Sequence, residues 1–302
     1  MNPCPTPAAG RLLSMLTLSL LMIGCAMPKP TLRIEGRPGT FGAGTIVDVA
    51  QDAATDFDRM AADLGAARVI YVGEQHTSAD HHAFQLEVIR ALADRDPDLM
   101  VGMEMFDRTY QPVLDRWSQG GMTEAAFIRA THWYANWRFP YRLYRELLDF
   151  VRERRLALVG LNVPFCLPAK IAVGGIDSLR PDERRLLPRE MDLSREDHRR
   201  YVRQVFKMHR IPGRDHFEDF YAAQCVWDEG MAETIADRLG DGQMVVLAGN
   251  GHIQRKFGIP ERASRRLPVP FKTVYQAPAG ETVAPDVADY IRVSPPRKTR
   301  HR

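Results

Sequence analysis

The chain of 302 residues is long enough for one large domain or two small ones, and its 45% hydrophobic content supplies a sizeable core. Its formal charge of +3, from 41 basic and 38 acidic residues, is too balanced for a nucleic-acid-binding protein, which usually carries a basic stripe. The basic cluster at the C-terminus is more typical of a solvated chain end than of a binding patch; it comprises Arg297, Lys298, Arg300 and Arg302. We therefore expect no nucleic-acid partner.

The N-terminus has the pattern of a lipoprotein signal peptide over residues 1–24. Arg11 precedes an apolar run from Leu12 to Ile23, which is shorter than the roughly 20 residues needed to span a bilayer. The run ends in Gly24-Cys25 and resembles a lipobox, although Met22 stands where Leu is more usual. We predict that Cys25 is acylated and anchors the mature chain by lipid. The alternative is an ordinary signal peptide in which this cysteine is incidental.

The residues after the cysteine bear on localisation and on redox state. Ala26 stands where an Asp would favour the inner membrane, so an outer-membrane lipoprotein facing the periplasm is expected. Residues 25–40 are rich in Pro and Gly and predict a tether. In an oxidising compartment Cys166 and Cys225 form either a disulfide or two separate thiols, and their spacing does not decide between these.

Residues 41–280 alternate between helical periodicity and short apolar strands. Asp52 is placed to cap the first helix. The predicted strands are Arg68–Val72, Leu99–Met103, Leu156–Leu161, Met244–Ala248 and Phe271–Tyr275. Near-continuously apolar strands separated by amphipathic helices predict an α/β fold with a mostly parallel sheet covered by helices on both faces. Residues 165 to about 215 predict a small helical insertion subdomain, and residues 281–302 a flexible tail.

Polar residues follow the predicted strands, at the edge where open parallel sheets bind their ligands. Glu74 and His76 follow the first strand, Glu104 the second and His252 the fourth, with Asn162 after the third at the margin. Carboxylate and imidazole suit Zn²⁺, Mn²⁺ or Fe²⁺, and the same pair can activate water as a general base. The four residues therefore predict a metal or catalytic site. The alternative for each is a cap or turn residue satisfied by the backbone.

Four further polar residues are candidates for supporting roles. His81 and His82 follow a capping segment and either face the crevice mouth or lie on the surface of the helix. Gln224 and Asp228 lie in the otherwise apolar stripe of a long helix from Phe217 to Leu239. Because an unpaired buried carboxylate is costly, Asp228 orients a site histidine or forms a structural salt bridge.

Six segments together resemble the ChaN-like haem-binding uptake family, in the superfamily that includes Tiki, TraB and erythromycin-esterase-like proteins. They are residues 73–92, 104–106, 137–144, 162–164, 222–233 and 248–260. The resemblance covers about residues 40–280. It implies a periplasm-facing lipoprotein with an α/β domain and a small helical domain. In Tiki-like relatives two G-x-x-H segments and a glutamate mark a metal-dependent hydrolase centre, and residues 73–76, Glu104 and residues 249–252 match them.

Two functions follow from this resemblance. The first is haem binding during iron uptake, with haem as cofactor, a haem-uptake system as partner and homodimer formation left open. The second is a metal-dependent hydrolase that uses the residues after the strands. Tyr201, Met208 and His209 are candidates for the haem site, since haem iron accepts these residue types. The segment His132-Trp133-Tyr134 is a second candidate, and core packing is the alternative for both. No C-x-x-C-H motif is present, which excludes covalent haem attachment.

Overall fold

The protein is described by a computed structural model that covers Met1, residues 29–208 and residues 215–297. Within these residues eight strands form one twisted sheet in the order β4-β3-β11-β9-β5-β8-β6-β7, and a small sheet has the order β10-β1-β2. The strands are β1 (Leu32–Ile34), β2 (Thr40–Phe41), β3 (Ile46–Asp48), β4 (Ala53–Thr55), β5 (Val69–Glu74), β6 (Met100–Asp107), β7 (Ala157–Asn162), β8 (Met244–Gly249), β9 (Phe271–Pro278), β10 (Thr282–Val283) and β11 (Tyr290–Ser294).

Twelve α-helices surround the sheet in the described part of the chain. They are α1 (Phe57–Gly65), α2 (Ala79–Ala93), α3 (Gln111–Ser118), α4 (Glu124–Ala130), α5 (Trp133–Asn136), α6 (Arg145–Glu153), α7 (Cys166–Gly174), α8 (Pro181–Arg184), α9 (Glu196–Met208), α10 (Phe217–Arg238), α11 (Asn250–Ile253) and α12 (Ile259–Arg266). Short 3₁₀ turns lie at Arg108–Tyr110, Tyr141–Leu143, Ile176–Ser178 and Gln254–Lys256. None of these helices is both long enough and apolar enough to cross a membrane.

Strands β11, β9, β5, β8, β6 and β7 run parallel, and β3 and β4 add an antiparallel margin. Alternate residues of β5 pack on opposite faces: Ile70 and Val72 join the core with α2, α3 and α6, whereas Val69 and Tyr71 join the core with α10 and α12. Burial on both faces explains why these strands are apolar throughout. The predicted fold class is confirmed, and helices α7, α8 and α9 form the helical insertion.

Two local predictions were wrong. Asp52 does not cap the first helix: it lies in a turn with φ of 50°, and Asp56 caps α1 by accepting a hydrogen bond from the Arg59 amide. The C-terminal segment is not wholly a flexible tail, because β11 pairs with β9 and buries Ile291 and Val293. The prolines and charged residues on either side of β11 favour a loop when only the sequence is read. The strand forms because it pairs with β9, which lies earlier in the chain.

The segment before residue 41 also contains structure. β1 buries Leu32 and Ile34 in the core beside the main sheet, so the tether predicted for residues 25–40 does not extend over these residues. Cys166 is exposed and Cys225 is buried, and both are free thiols. The predicted signal peptide beyond Met1, the predicted acylation site Cys25 and the C-terminal residues 298–302 lie outside the described residues.

Candidate functional site

A crevice of about 440 Å³ opens at the carboxyl ends of β5 and β8, beneath α9. Parallel strands put their carboxyl ends at one edge, so the residues that follow them converge. Glu74, His76 and His252 line the crevice, and Glu104 lies behind them, with its Oε1 3.4 Å from His252 Nε2. The four residues predicted from the strand ends are therefore brought together.

The first half of the site, the Glu74 cluster, comprises Glu74, His76, His82 and Tyr144. Glu74 is buried, and its Oε1 accepts hydrogen bonds from Tyr144 Oη at 2.6 Å and His76 Nδ1 at 2.9 Å. His82 Nε2 lies 3.2 Å from the same oxygen. Glu74 Oε2 has no hydrogen-bond partner among the described residues. Two hydrogen bonds and the nearby His82 imidazole thus converge on one carboxylate oxygen.

The electrostatics of the Glu74 cluster follow from this convergence. Burial alone would raise the pKa of Glu74, but the hydrogen bonds from His76 and His82 outweigh it and hold the pKa well below its usual range. Burial lowers the pKa of His76, but the nearby carboxylates of Glu74 and Glu104 raise it by more, so the pKa is above its usual value. Trp137 and Phe139 pack against the His76 ring at centroid distances of 4.7 and 5.1 Å. The imidazole therefore sits between a carboxylate and an aromatic wall.

The second half, the His252 cluster, comprises His252, Glu104, Asp228, Gln224 and His198. His252 Nδ1 donates to Asp228 Oδ1 at 2.6 Å, and Nε2 faces Glu104. The Gln224 amide lies 3.0 Å from the same Nδ1, and His198 Nε2 lies 3.4 Å from Asp228 Oδ2. Asp228 therefore orients a site histidine, one of the two roles predicted for it.

The two carboxylates also set the charge of His252. Burial lowers the pKa of this imidazole, but Glu104 and Asp228 on its two sides raise it to about 10. His198 does not lie between two carboxylates. Burial outweighs the effect of Asp228 and lowers the pKa of His198 to about 4. At neutral pH the cluster therefore holds one imidazolium and one neutral imidazole around Asp228.

Gly249 joins the two clusters. Its amide donates to Glu104 Oε2 at 2.6 Å, which fixes the carboxylate. A Cβ at this position would lie 2.9 Å from His76 Cε1, so only glycine allows this close approach. Asn162 is buried and holds Glu104 from behind, since its Nδ2 donates to the Glu104 carbonyl oxygen at 3.1 Å. Its role is support of the strand end.

Both helix-start histidines are buried, so the alternative of a surface position was wrong. The Gln75 amide donates to His81 Nδ1 at 3.0 Å, so Nε2 carries the proton and donates to Ser294 Oγ at 3.0 Å. Burial lowers the pKa of His81 to about 4. His81 therefore ties the loop after β5 to β11, whereas His82 belongs to the Glu74 cluster.

The predicted divalent-metal site is not supported. Among the described residues no group of three or more His, Cys, Asp or Glu side chains is arranged to hold a metal ion. The carboxylates of Glu74 and Glu104 instead accept from imidazole, phenol and amide donors. His252 would have to lose its proton against two carboxylates before it could act as a ligand.

Comparison with known proteins identifies the family. The family model for haem-binding uptake proteins of the Tiki superfamily, ChaN, matches residues 60–263, which is more than half of the chain. The chain belongs to this family. A search of the curated proteins gave no match.

Solved structures resemble this member of the ChaN family in fold. A structure of ChaN from Campylobacter jejuni, described as showing cofacial haem binding, has a TM-score of 0.67 and 19% identity, over 82% of this chain and 95% of that chain. An erythromycin esterase in its open conformation has a TM-score of 0.47 and 15% identity, over 78% of this chain and 76% of that chain. At 19% identity the likeness to the first of these structures shows the fold alone.

For a ChaN-family member, the residues able to hold haem matter most. Tyr201 lines the crevice from α9. Met208, predicted to share its face, is exposed at the end of the helix, and His209 lies outside the described residues. The second predicted cluster does not line the crevice: Trp133 is in the core, whereas His132 and Tyr134 are exposed. Of the haem candidates in the described part of the chain, Tyr201 alone faces the crevice.

Sequence reasoning missed several residues of the site. Tyr144 lies in the segment 137–144 that carries the family resemblance and was not predicted as a site residue, yet its hydroxyl donates a hydrogen bond to Glu74. His198 lies three residues before Tyr201 on α9 and packs beside Asp228, so helical spacing was the signal that could have found it. Tyr275 also lines the crevice, and no local pattern marks it. Arg297 was expected at a solvated chain end, but it lines the crevice and pairs with Glu281.

Proposed function

We propose that this chain binds haem in the crevice and acts in haem and iron uptake as a lipid-anchored protein of the cell envelope. When bound, haem would supply an iron centre that Tyr, His or Met side chains can ligate. We assign this role to Tyr201. The observation that carries the assignment is that Tyr201 lines the crevice, which no other haem candidate in the described part of the chain does.

The remaining walls suit a flat, mainly apolar ring that carries carboxylates. Val202, Val205 and Phe220 form an apolar side under α9 and α10. His76 and Arg297 lie on the polar side and can donate to carboxylates. The volume of about 440 Å³ is within the usual range of about 300–1,000 Å³ for ligand pockets. The residues present therefore fit the group that the family implies.

An absorption titration of the full chain with haemin tests this proposal. The wild type should give a saturable Soret band, and Tyr201→Phe should shift the band and weaken binding by about tenfold or more, or 1.4 kcal/mol. Tyr134→Phe is the control, because Tyr134 is exposed outside the crevice. A wild type that binds no haemin refutes the function. A normal band in Tyr201→Phe that disappears in His76→Ala moves the ligand to the Glu74 cluster.

Acylation at Cys25 with an outer-membrane position facing the periplasm completes the proposal. It is supported by the apolar run and the Gly24-Cys25 pair. Mass spectrometry of the protein expressed in a Gram-negative host should find acyl chains on Cys25. Cys25→Ser should leave the protein soluble or unprocessed, and an unmodified cleavage product of the wild type contradicts the anchor.

A further inference from the structure

One buried imidazole lies behind two segments of the crevice wall. His81, in the first turn of α2, is buried. Its Nδ1 accepts a hydrogen bond from the Gln75 amide, and its Nε2 donates to Ser294 Oγ at the end of β11, both at 3.0 Å. Gln75 and the next residue, His76, line the crevice, and Arg297, three residues after Ser294, lines it too. A single side chain therefore holds both segments.

The contact from Gln75 fixes the protonation state of the His81 ring. A backbone N–H can only donate, so Nδ1 must keep its lone pair in order to accept from it. Protonation would place a hydrogen on Nδ1 and turn two donors towards each other. The hydrogen bond from Gln75 would be lost, and the buried Nδ1–H would be left without an acceptor, which is costly. The neutral ring therefore closes the loop after β5, and the protonated ring opens it.

The charged groups that face His81 come from α2, β5 and β11. Burial is the largest influence on the ring and lowers the pKa of His81 to about 4. Asp80 on the same helix and Glu74 at the end of β5 favour the protonated ring, whereas Arg292 of β11 and His82 disfavour it. Asp80 and Arg292 also pair with each other, with Arg292 Nη2 3.1 Å from Asp80 Oδ1. The surrounding charges thus oppose one another, and burial decides the direction.

The main chain beside His81 is held by contacts that do not involve the ring. Gln276 of β9 donates from its Nε2 to the carbonyl oxygens of His81 at 3.1 Å and of Gly73 at 2.8 Å. The Gln276 side chain carries no charge, so acid leaves both contacts in place. Ser78 caps the same helix by accepting from the His81 amide. Loss of the ring contacts should therefore release the loop and leave β5 joined to α2.

We propose that His81 is an acid-sensitive latch of the crevice: protonation of its ring opens the loop of residues 75–78, and the crevice then holds its ligand less tightly. The opening of the loop does not depend on the ligand, whereas the loss of affinity rests on the proposed haem function. A ligand bound at neutral pH is released by acid, since a histidine switch acts through the one side chain that ordinarily titrates in this range.

The size of the effect follows from the two states of the ring. In the closed loop the pKa of His81 is about 4, and in the open loop it returns to about 6.5. The closed state is therefore fully favoured above pH 6.5 and loses its advantage as pH falls from 6.5 towards 4. Over this window the equilibrium shifts towards the open loop by at most about 300-fold, and by about twentyfold between pH 7 and pH 5.

Amide hydrogen exchange in the ligand-free full chain tests the latch. The protection factor of the Gln75 amide, corrected for the intrinsic rate at each pH, should fall about twentyfold from pH 7 to pH 5. His81→Gln places an amide there that can accept and donate but does not titrate, so its protection factor should stay nearly constant. His216→Gln is the control, because His216 is exposed, and it should follow the wild type. Protection that is independent of pH in the wild type, or an equal fall in His81→Gln, overturns the proposal.

Ser294→Ala is a second variant that keeps the titrating ring. It removes the acceptor of Nε2 and leaves the contact from Gln75, so the closed loop should be less stable at every pH. The Gln75 protection factor should be lower than in the wild type at pH 7 and should still fall in acid. Wild-type protection in Ser294→Ala at pH 7 would show that the ring does not tie the loop to β11, which contradicts the latch.

Release of haemin from the loaded proteins tests the consequence for the ligand. The dissociation rate into an excess of a haem-scavenging protein should rise by about tenfold or more from pH 7 to pH 5 in the wild type, and less in His81→Gln. Equal acceleration in both proteins overturns the link between the latch and affinity, and assigns acid release to another group such as His198. A chain that binds no haemin refutes the proposed function, and the amide exchange then decides the latch by itself.

Discussion

The two G-x-x-H segments have the same sequence pattern but hold their histidines differently. His76 uses one ring nitrogen on Glu74, and 28% of its side chain remains exposed at the crevice. His252 lies between two carboxylates, with Asp228 on Nδ1 and Glu104 near Nε2. The first imidazole is therefore available to a ligand, whereas the second is fixed as a cation. The difference arises from the partners that other elements supply and not from the motif.

The clusters also differ in what holds their carboxylates. Glu74 receives its donors from the loop after β5, from α2 and from the segment before α6. Asp228 lies on α10 and meets residues of α9 and α11. The His252 cluster therefore fastens the helical insertion to the sheet. Substitutions in this cluster should weaken the packing of α9, which carries Tyr201 at the wall of the crevice.

The pH dependence of folding should separate the two clusters most strongly. The folded pKa of His252, about 10, is above the unfolded value of about 6.5, so the folded state binds the proton more tightly. Its stabilisation is fully present below pH 6.5 and is lost as pH rises through 10. Urea unfolding of the wild type should show a loss of several kcal/mol over this window, and His252→Gln should remove most of the slope.

The control for this measurement is His216→Gln, because His216 is exposed at the start of α10. Its slope should match the wild type. If His252→Gln retained the full alkaline loss of stability, another group would be responsible, and the imidazolium between two carboxylates would have no energetic role.

Asp228→Asn should have the next largest effect. It leaves the His252 imidazolium with Glu104 alone in a buried site, and breaking a buried ion pair costs about 3 kcal/mol or more. Asp237→Asn is the matched control on the same helix, since its ion pair with Arg189 is half exposed and contributes less than about 1 kcal/mol. Denaturant unfolding gives both values. Equal costs would mean that the buried cluster is no stronger than a surface pair.

Gly249→Ala tests the close packing that joins the clusters. Its methyl group would lie 2.9 Å from His76 Cε1, and overpacking of this kind costs about 2 kcal/mol. Gly42→Ala is the control, because nothing lies within 4 Å of an added Cβ there, and its effect should be within about 1 kcal/mol. A Gly249→Ala protein as stable as Gly42→Ala would show that the His76 ring moves freely.

The sheet was predictable because its strands are apolar runs that end in glycine or a polar residue. From the ends of these strands, the sequence predicts that Glu74 and His252 lie at one edge of the sheet. The structure brings both residues to the crevice at that edge. The pairing of Asp228 with His252 was open, since helical periodicity shows that a carboxylate is buried but not what it meets. β11 was missed because a five-residue strand depends on its neighbour β9.

The burial of His81 and His82 also could not be predicted from the sequence. A position in the first turn of a helix is compatible with exposure or burial, and here the first turn of α2 lies against β11 and the segment before α6. The partners Ser294 and Tyr144 are 213 and about 60 residues away in the chain. Local capping rules describe the backbone of this turn well, since Ser78 caps α2, but they cannot describe its tertiary contacts.

The smallest effect should come from Tyr144→Phe, which removes one of the donors on Glu74. The hydroxyl donates to a buried carboxylate at 2.6 Å, and a hydrogen bond to a charged group contributes about 1.5 kcal/mol. Tyr141→Phe is the control, because the Tyr141 hydroxyl is buried with no hydrogen-bond partner in the described structure. Removing an unpaired polar group should leave stability unchanged or raise it. If both variants lost the same free energy of unfolding, the packing of the hydroxyl oxygen would explain the loss, and the hydrogen bond to Glu74 would contribute nothing further. A loss in Tyr144→Phe alone shows that Glu74 depends on a donor from outside its own loop.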